Sequence, residues 1–480
     1  MVRRILGFFK AGPDSPPISD DPKVIEKLFE RKRMSVFLSV TFGYGFFYVA
    51  RINFSVAKRP LLDAGIFDNT EMGIIGSALL GVYAIGKLLN GILSDRANIA
   101  RFMSTALLLS AAVNLVLGST TMFWAFVLLW GLNGLFQSVG SAPSVVSLSQ
   151  WFSRREIGTR YGVWSASHGL GTAVTFIFTS VVVATFGWRW AFWGPGAVCF
   201  VVALIMYKTM ADRPETYGLP NVSVYKNDVS GEQAVGDTRT VGQQQLEVLR
   251  NPAIWILGVA SAMMYVARYG INNWGQLFLQ QTKGYTLIDS GSIMGAYTLA
   301  TVAGAVSSGW ISDRFFNSSR NVPALLMGIF NIASLTVLFL APPDNLWIDV
   351  AALVVFGFVL GGLLAYLGGL MAVDLSSKRA AGTAMGMIGG FSYVGAAVQD
   401  TITGVLLDGS KVVAEVDMAG RFPSAADSWE WMRSGAGYVE RLGVCSHDVY
   451  SYDSAFHFWI GAAVVSLLLT LTVWNAKPRS

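Results

Sequence analysis

Apolar stretches of about twenty residues recur twelve times along the chain, at roughly 34–57, 71–93, 102–118, 122–146, 158–184, 188–209, 252–280, 288–311, 322–341, 346–371, 380–406 and 455–475. About 20 predominantly apolar residues is the length an α-helix needs to cross a bilayer. Backbone N–H and C=O groups cannot stay unpaired in hydrocarbon, so each stretch has to close its own hydrogen bonds as a helix. The pattern predicts an all-α membrane protein with twelve transmembrane helices. Composition excludes the soluble alternative: 14% of residues are charged, against about 25% in water-soluble domains. The 51 glycines suit helices that approach one another closely.

The basic residues lie in short loops between the apolar runs, so the net charge of +5 marks a membrane face, with no basic surface large enough for nucleic acid. With the N-terminus inside, one side receives Arg31, Lys32, Arg33, Arg96, Arg101, Arg154, Arg155, Arg314, Arg320, Lys378, Arg379, Lys477 and Arg479. The opposite short loops hold chiefly Lys58, Arg59, Arg189 and Lys283. The positive-inside rule then predicts that both termini are cytoplasmic. Residues 1–33 are mostly polar and lack a secretory apolar core, so the first span is expected to be retained. Cys199 in a span and Cys445 in a polar loop form neither a disulfide framework nor a metal site. No metal or cofactor is expected. A nucleotide-binding loop and a nucleophile elbow are missing from the sequence, which argues against an enzyme.

The chain repeats itself in order. Tyr48-Val49-Ala50-Arg51 returns as Tyr265-Val266-Ala267-Arg268, an offset of 268 − 51 = 217. Gly91-x-x-Ser94-Asp95-Arg96 returns as Gly309-x-x-Ser312-Asp313-Arg314, offset 313 − 95 = 218. Arg154-Arg155 before Gly158-Thr159 returns as Lys378-Arg379 before Gly382-Thr383, offset 382 − 158 = 224. These matches predict two pseudo-symmetric six-helix bundles, 34–210 and 251–480, with a binding site at their interface. Residues 1–33 form an N-terminal cytoplasmic segment, 211–250 a polar linker, and 408–453 an extended outward loop carrying Trp429, Trp431, Tyr438 and Tyr450. That loop reads equally as a lid, a partner surface or an insertion. Asp95, Arg96, Asp313 and Arg314 sit at helix ends and read as interhelix contacts.

Ionisable groups inside a span are costly and mark function by default. Arg51 lies 17 residues beyond Met34 and Arg268 lies 16 beyond Pro252, so the two fall at matching depth. Two guanidiniums, one from each half, make a clamp whose forks match phosphate oxygens bidentately. The alternative is that a buried acid neutralises each one, yet no Asp or Glu lies within a turn or two of either. Lys87 breaks the symmetry, Ala305 standing at the matching position. It reads as a further cation for the ligand or as the partner of Asp400, which shares a helix face with Tyr393 seven residues before it. His168 reads as a phosphate contact or as a packing residue. Tyr44, Tyr48, Tyr265, Tyr269, Asn272, Asn273 and Trp274 offer a lining suited to a sugar or polyol.

The duplicated Gly-x-x-Ser-Asp-Arg motif between spans two and three and between eight and nine resembles the major facilitator superfamily. Tyr48-Val49-Ala50-Arg51, Gly86-Lys87, Ser167-His168-Gly169, Tyr265-Val266-Ala267-Arg268 with Asn272-Asn273-Trp274, and Ser392-Tyr393 are similar to motifs of its organophosphate:phosphate antiporters. Phe8-Phe9-Lys10-Ala11, Asp212-Arg213-Pro214 and Gly218-Leu219-Pro220 resemble the hexose-phosphate receptor and transporter members. Asp400, where a small or apolar residue is expected, and the long 408–453 loop depart from the family pattern. The resemblance implies exchange of a sugar phosphate such as glucose-6-phosphate for inorganic phosphate in a bacterial inner membrane. It places Arg51, Arg268, Lys87, His168 and Tyr393 on the phosphate, and Tyr48, Tyr265, Asn273, Trp274 and Asp400 on the sugar side or at a gate. Two alternatives follow from it: a sugar-phosphate receptor signalling to a membrane sensor kinase, and a proton-coupled symporter using His168 or Asp400.

Overall fold

Twelve long helices carry the fold in the computed structural model, which describes residues 7–94, 97–226, 241–316, 321–343, 345–367, 371, 381–416 and 445–473. They are α1 (Pro22–Asp63), α2 (Asn69–Ser94), α3 (Ile99–Leu117), α4 (Phe123–Gln137, continued by Ala142–Trp151), α5 (Arg154–Val174, continued by Ser180–Phe186), α6 (Trp190–Thr209), α7 (Pro252–Gln281), α8 (Leu287–Phe315), α9 (Asn321–Leu340), α10 (Leu346–Ala365), α11 (Ala381–Gly409) and α12 (Asp453–Thr472). Ten are long and apolar enough to span a membrane among the described residues. α8 and α11 complete the set by length.

Local signals fix where the helices start. Asp21 caps α1 through the Lys23 amide at 2.9 Å, and Asn251 caps α7 through the Ala253 amide at 3.1 Å, each followed by a proline at the first helical position. Asn98 caps α3 on the Arg101 amide, and Ser153 with Glu156 closes a capping box at α5. α1 begins a dozen residues before the span expected from hydropathy, as a polar extension (22–33) whose Arg33 pairs with Glu30 and Glu156.

α1, α5 and α6 pack together with α2–α4 in one bundle, and α7, α11 and α12 with α8–α10 in the other. α2 against α11 and α5 against α8 join the bundles, with α1 meeting α7. This junction is lopsided. One continuous apolar core runs the height of the second bundle and crosses into the first toward the α1–α2 and α7–α8 turns, through Leu79, Tyr83, Phe176, Trp274 and Tyr393. Toward the chain termini a separate core, built on Phe29, Val36, Phe47, Trp151 and Trp164, belongs to the first bundle alone. The polar contacts between described residues of the two bundles fall in the first region: Asp408 with Asn69 and Thr70, Ser77 with Thr401, Lys58 with Asp400, and Gln276 with Ser180. The bundles therefore close on each other at one end and part at the end that carries the termini.

Two segments lie outside the bundles. Residues 7–21 run along the terminal end of the first bundle, where Phe9 accepts from the Asn98 amide at 2.7 Å and Asp14 pairs with Arg213 at 2.6 Å. Beyond α11, β1 (Lys411–Val416) pairs antiparallel with β2 (Cys445–Tyr450), so the 408–453 loop starts and ends as a ribbon. Trp429, Trp431 and Tyr438 lie outside the described residues, as do Asp95, Arg96, Lys378 and Arg379. Within the stretch read as a polar linker, Val241–Arg250 is helical.

Candidate functional site

The repeated Tyr-Val-Ala-Arg motifs place Arg51 12 residues from the end of α1 (63 − 51) and Arg268 13 from the end of α7 (281 − 268). Both are therefore about 18–20 Å from the closed ends of their helices. Spacing of three puts each arginine over the tyrosine of its own motif: the Arg51 guanidinium lies 5.4 Å from the Tyr48 ring and that of Arg268 5.0 Å from the Tyr265 ring. The two halves are then cross-braced. Arg51 Nη2 donates to the Tyr269 hydroxyl at 2.8 Å, and Tyr269 sits under Arg268 at 5.4 Å.

Tyrosine rings, in place of carboxylates, surround these cations. Tyr83 lies 4.3 Å and Tyr393 5.7 Å from the Arg51 guanidinium. Tyr393 contacts the rings of Tyr83, Tyr265 and Tyr269 at 4.6, 5.6 and 6.3 Å. Among the described residues no carboxylate is within 4 Å of Arg51, Arg268 or Lys87. The ring faces hold each guanidinium electrostatically without cancelling its charge, so the cations stay available to an anion. Arg51 is buried, while Arg268, Lys87 and His168 are half-buried toward the parted end.

Lys87 does not pair with Asp400. Its ammonium lies 5.3 Å from the Tyr393 ring and beside Gly389 on α11, about three turns nearer the open end than Asp400. It joins the arginines as a third uncompensated cation. His168 packs against Tyr48 and Tyr44, with ring centroids 5.1 and 6.1 Å away, and its Nδ1 faces the Ser165 carbonyl of its own helix. A carbonyl only accepts, so Nδ1 carries the proton and the neutral ring offers Nε2 as an acceptor. Donation to a phosphate from this position requires the imidazolium.

Asp400 belongs to a different cluster. Its carboxylate accepts from Trp274 Nε1 at 2.5 Å and Asn273 Nδ2 at 2.9 Å, and lies 3.7 Å from Lys58. Lys58 sits 3.1 Å above the Trp274 ring. Asn273 and Trp274 are thus committed to Asp400 in this conformation. Lys58 and Lys283, which hydropathy assigns to the outer loops, are both buried, Lys58 within α1 and Lys283 in the turn just past α7, where it pairs with Asp349 at 3.2 Å. The mean apolarity of a window hides a single lysine at a span's end, and its partner in each case is remote in sequence. Tyr83 carried a readable signal that composition obscured: it lies four residues before Lys87, on the same helical face.

Residues 38–399 match the Major Facilitator Superfamily. A probable hexose phosphate transport protein of Chlamydia pneumoniae is 31% identical over 96% of this chain and 95% of its own length. The membrane sensor protein UhpC of Salmonella typhimurium is 31% identical over 82% of this chain and 89% of its own. Among solved structures, a bacterial homolog of the human lysosomal transporter Spinster, in an inward-facing and unoccupied conformation, matches with a TM-score of 0.71 at 16% identity, covering 93% of this chain and 99% of that one. The fold, the duplicated motifs and these relatives agree: the chain belongs to the Major Facilitator Superfamily and, within it, to the organophosphate:phosphate antiporter branch.

Proposed function

We propose that this protein exchanges a phosphorylated sugar, with a hexose phosphate such as glucose-6-phosphate as the best candidate, for inorganic phosphate by alternating access. The observation that supports this reading most is a pair of symmetry-related guanidiniums, Arg51 and Arg268, caged by tyrosines and left without a counter-anion among the described residues. A phosphomonoester carries nearly two negative charges at neutral pH, and two forks from opposite bundles would take it bidentately. Lys87, Tyr393 and the imidazolium form of His168 would complete the phosphate shell. Tyr48 and Tyr265 would line the sugar side, and Asn273, Trp274 and Asp400 would act at its closed end.

In this reading the bundles 34–210 and 251–480 move as two bodies, and residues 1–33 and 211–250 lie in the cytoplasm with both termini. The membrane is a bacterial inner membrane, and the parted end of the present conformation faces inward. An empty clamp brings uncompensated cations together, whereas a bound dianion neutralises them, so the loaded form reorients more readily. Exchange, in preference to net flux, follows from that difference.

The test is counterflow. Purified protein in liposomes loaded with phosphate should take up labelled phosphate, with glucose-6-phosphate competing better than glycerol-3-phosphate or phosphoglycerate. Uptake that ignores internal phosphate but follows a pH gradient would replace antiport with proton symport. The kinship with a membrane sensor protein favours a second reading, a receptor signalling to a membrane kinase. Binding of a sugar phosphate with no exchange would select it.

A further inference from the structure

We propose that Lys58, Asp400 and Asp408 form a charged latch across the closed end of the two bundles, and that its strength sets how often the cavity opens to the outside. The proposal rests on the alternating-access reading above. Lys58 belongs to α1 and Asp400 to α11, so their ion pair at 3.7 Å bridges the bundles, with side-chain exposures of 1% and 0%. It lies seven residues beyond Arg51 on α1, about 10 Å toward the closed end.

The bundle surfaces are shaped to receive this pair. The Asp400 carboxylate sits against the backbone of α2 at Gly76, where a Cβ on residue 76 would overlap its oxygens. Trp274 and Asn273 hold the carboxylate from α7, and the Trp274 ring covers the Lys58 ammonium. Among the described residues Lys58 Nζ has no hydrogen-bond acceptor, so Asp400 and the ring faces of Trp274 and Phe54 offset its burial.

Two turns further along α11, Asp408 from the second bundle caps the N-terminus of α2 in the first. It accepts from the Thr70 amide at 2.6 Å, the Asn69 amide at 3.3 Å and Asn69 Nδ2 at 3.0 Å. Between the two carboxylates, Ser77 and Thr401 touch oxygen to oxygen at 2.6 Å. The Lys283–Asp349 pair is as deeply buried but joins α10 to the end of α7, inside one bundle. A within-bundle pair can survive rigid-body rocking. The Lys58–Asp400 pair and the Asp408 cap cannot, because opening this end pulls their partners apart.

Removing one carboxylate leaves the closed state with a buried, unpartnered Lys58, or with uncapped α2 amides, that the open state exposes to water. The variants therefore shift the population outward. The test places a reporter cysteine at Ser55, buried on α1 between Arg51 and Lys58, in a background with Cys199→Ala and Cys445→Ser. A membrane-impermeant maleimide is then added to intact cells. Asp400→Asn and, separately, the half-buried Asp408→Asn should each raise the labelling rate at least about tenfold. A Ser77→Cys/Thr401→Cys disulfide should abolish labelling until reduced. Labelling at the parental rate in both carboxylate variants, recovered folded, would overturn the latch. The readout needs no transported substrate, so a chain that never exchanges phosphate but still shows the shift would refute the antiport reading and keep the latch.

Discussion

Arg268→Lys isolates what the clamp contributes, because it keeps the charge and removes the fork. Arg268 is half-buried, stacked on Tyr265 and Tyr269, and has no carboxylate among the described residues to be left orphaned. The variant is therefore expected to fold. A lysine in its place forfeits one of two charge-assisted hydrogen bonds to a phosphate, about 1.5–3 kcal/mol. It must also immobilise a flexible stem that the tyrosine rings no longer orient, about 0.5–1.5 kcal/mol. Together these are roughly 2–4.5 kcal/mol, a rise in Kd of between about 30-fold and about 2,000-fold. Thermal melts read this directly. Phosphate at 100 times the parental Kd should stabilise the parent by about 2.7 kcal/mol and the variant by less than about 1 kcal/mol. Counterflow should fall to near background. Phosphate exchange within threefold of the parent, with undiminished stabilisation, would refute bidentate capture at Arg268.

Tyr393→Phe keeps the ring beside Arg51 and Lys87 and removes only the hydroxyl, so phosphate affinity should fall about two- to tenfold, whereas Tyr393→Ala opens the cage and should cost at least about 30-fold; isothermal titration with phosphate separates them. Equal losses for the two would mean that the ring does not hold the cations. Lys283→Met strands Asp349 with, among the described residues, only Tyr285, at 2.8 Å, as a hydrogen-bond donor, and should destabilise the second bundle by about 3–5 kcal/mol, seen as a large drop in melting temperature in detergent. Pairing it with Asp349→Leu should recover much of that loss, and a double variant as unstable as the single would show that packing, not the orphaned charge, sets the cost.

Helices of about twenty residues and an in-order repeat are properties of neighbours in sequence, which is why the fold class was legible before any coordinates. The arginines were legible for the same reason: each is a lone cation in an apolar run, and the repeat pairs them. Their tyrosine cage was only half legible. Tyr48 and Tyr265 come with the motif, but Tyr83 reaches Arg51 from another helix, and its one local sign, Lys87 four residues further on, is lost among the many aromatics that merely pack. Asp400 is visible in the sequence as an intramembrane acid, but the sequence leaves its partner open, with Lys87 as one candidate, and the fold supplies Lys58. Lys87 and Lys58 are both lysines of the first bundle, and choosing between them needs the stagger of α1 and α2 against α11, which depends on Gly76 and the tertiary fit.

The choice of tyrosine over carboxylate around Arg51 and Arg268 bears on coupling itself. A carboxylate beside each guanidinium would make the empty site electrically quiet, and an empty carrier could then reorient without cargo and dissipate a gradient. Phenol rings orient the guanidiniums through their faces and, in the case of Tyr269, through a hydroxyl, while leaving the positive charge uncancelled. Neutralisation is thereby reserved for a ligand that brings its own negative charge. At the closed end the logic is inverted: there Lys58 does have its carboxylate, supplied by the opposite bundle, so the attraction holds the gate shut when it is shut and is lost when it opens. On the proposed function, a dianion bound between the arginines would draw the bundles together at the level of the clamp, and the proposed latch would bias which end stays closed. Cargo and gate would then act on the same interface through charges of opposite bookkeeping, one completed by the substrate and one completed by the fold.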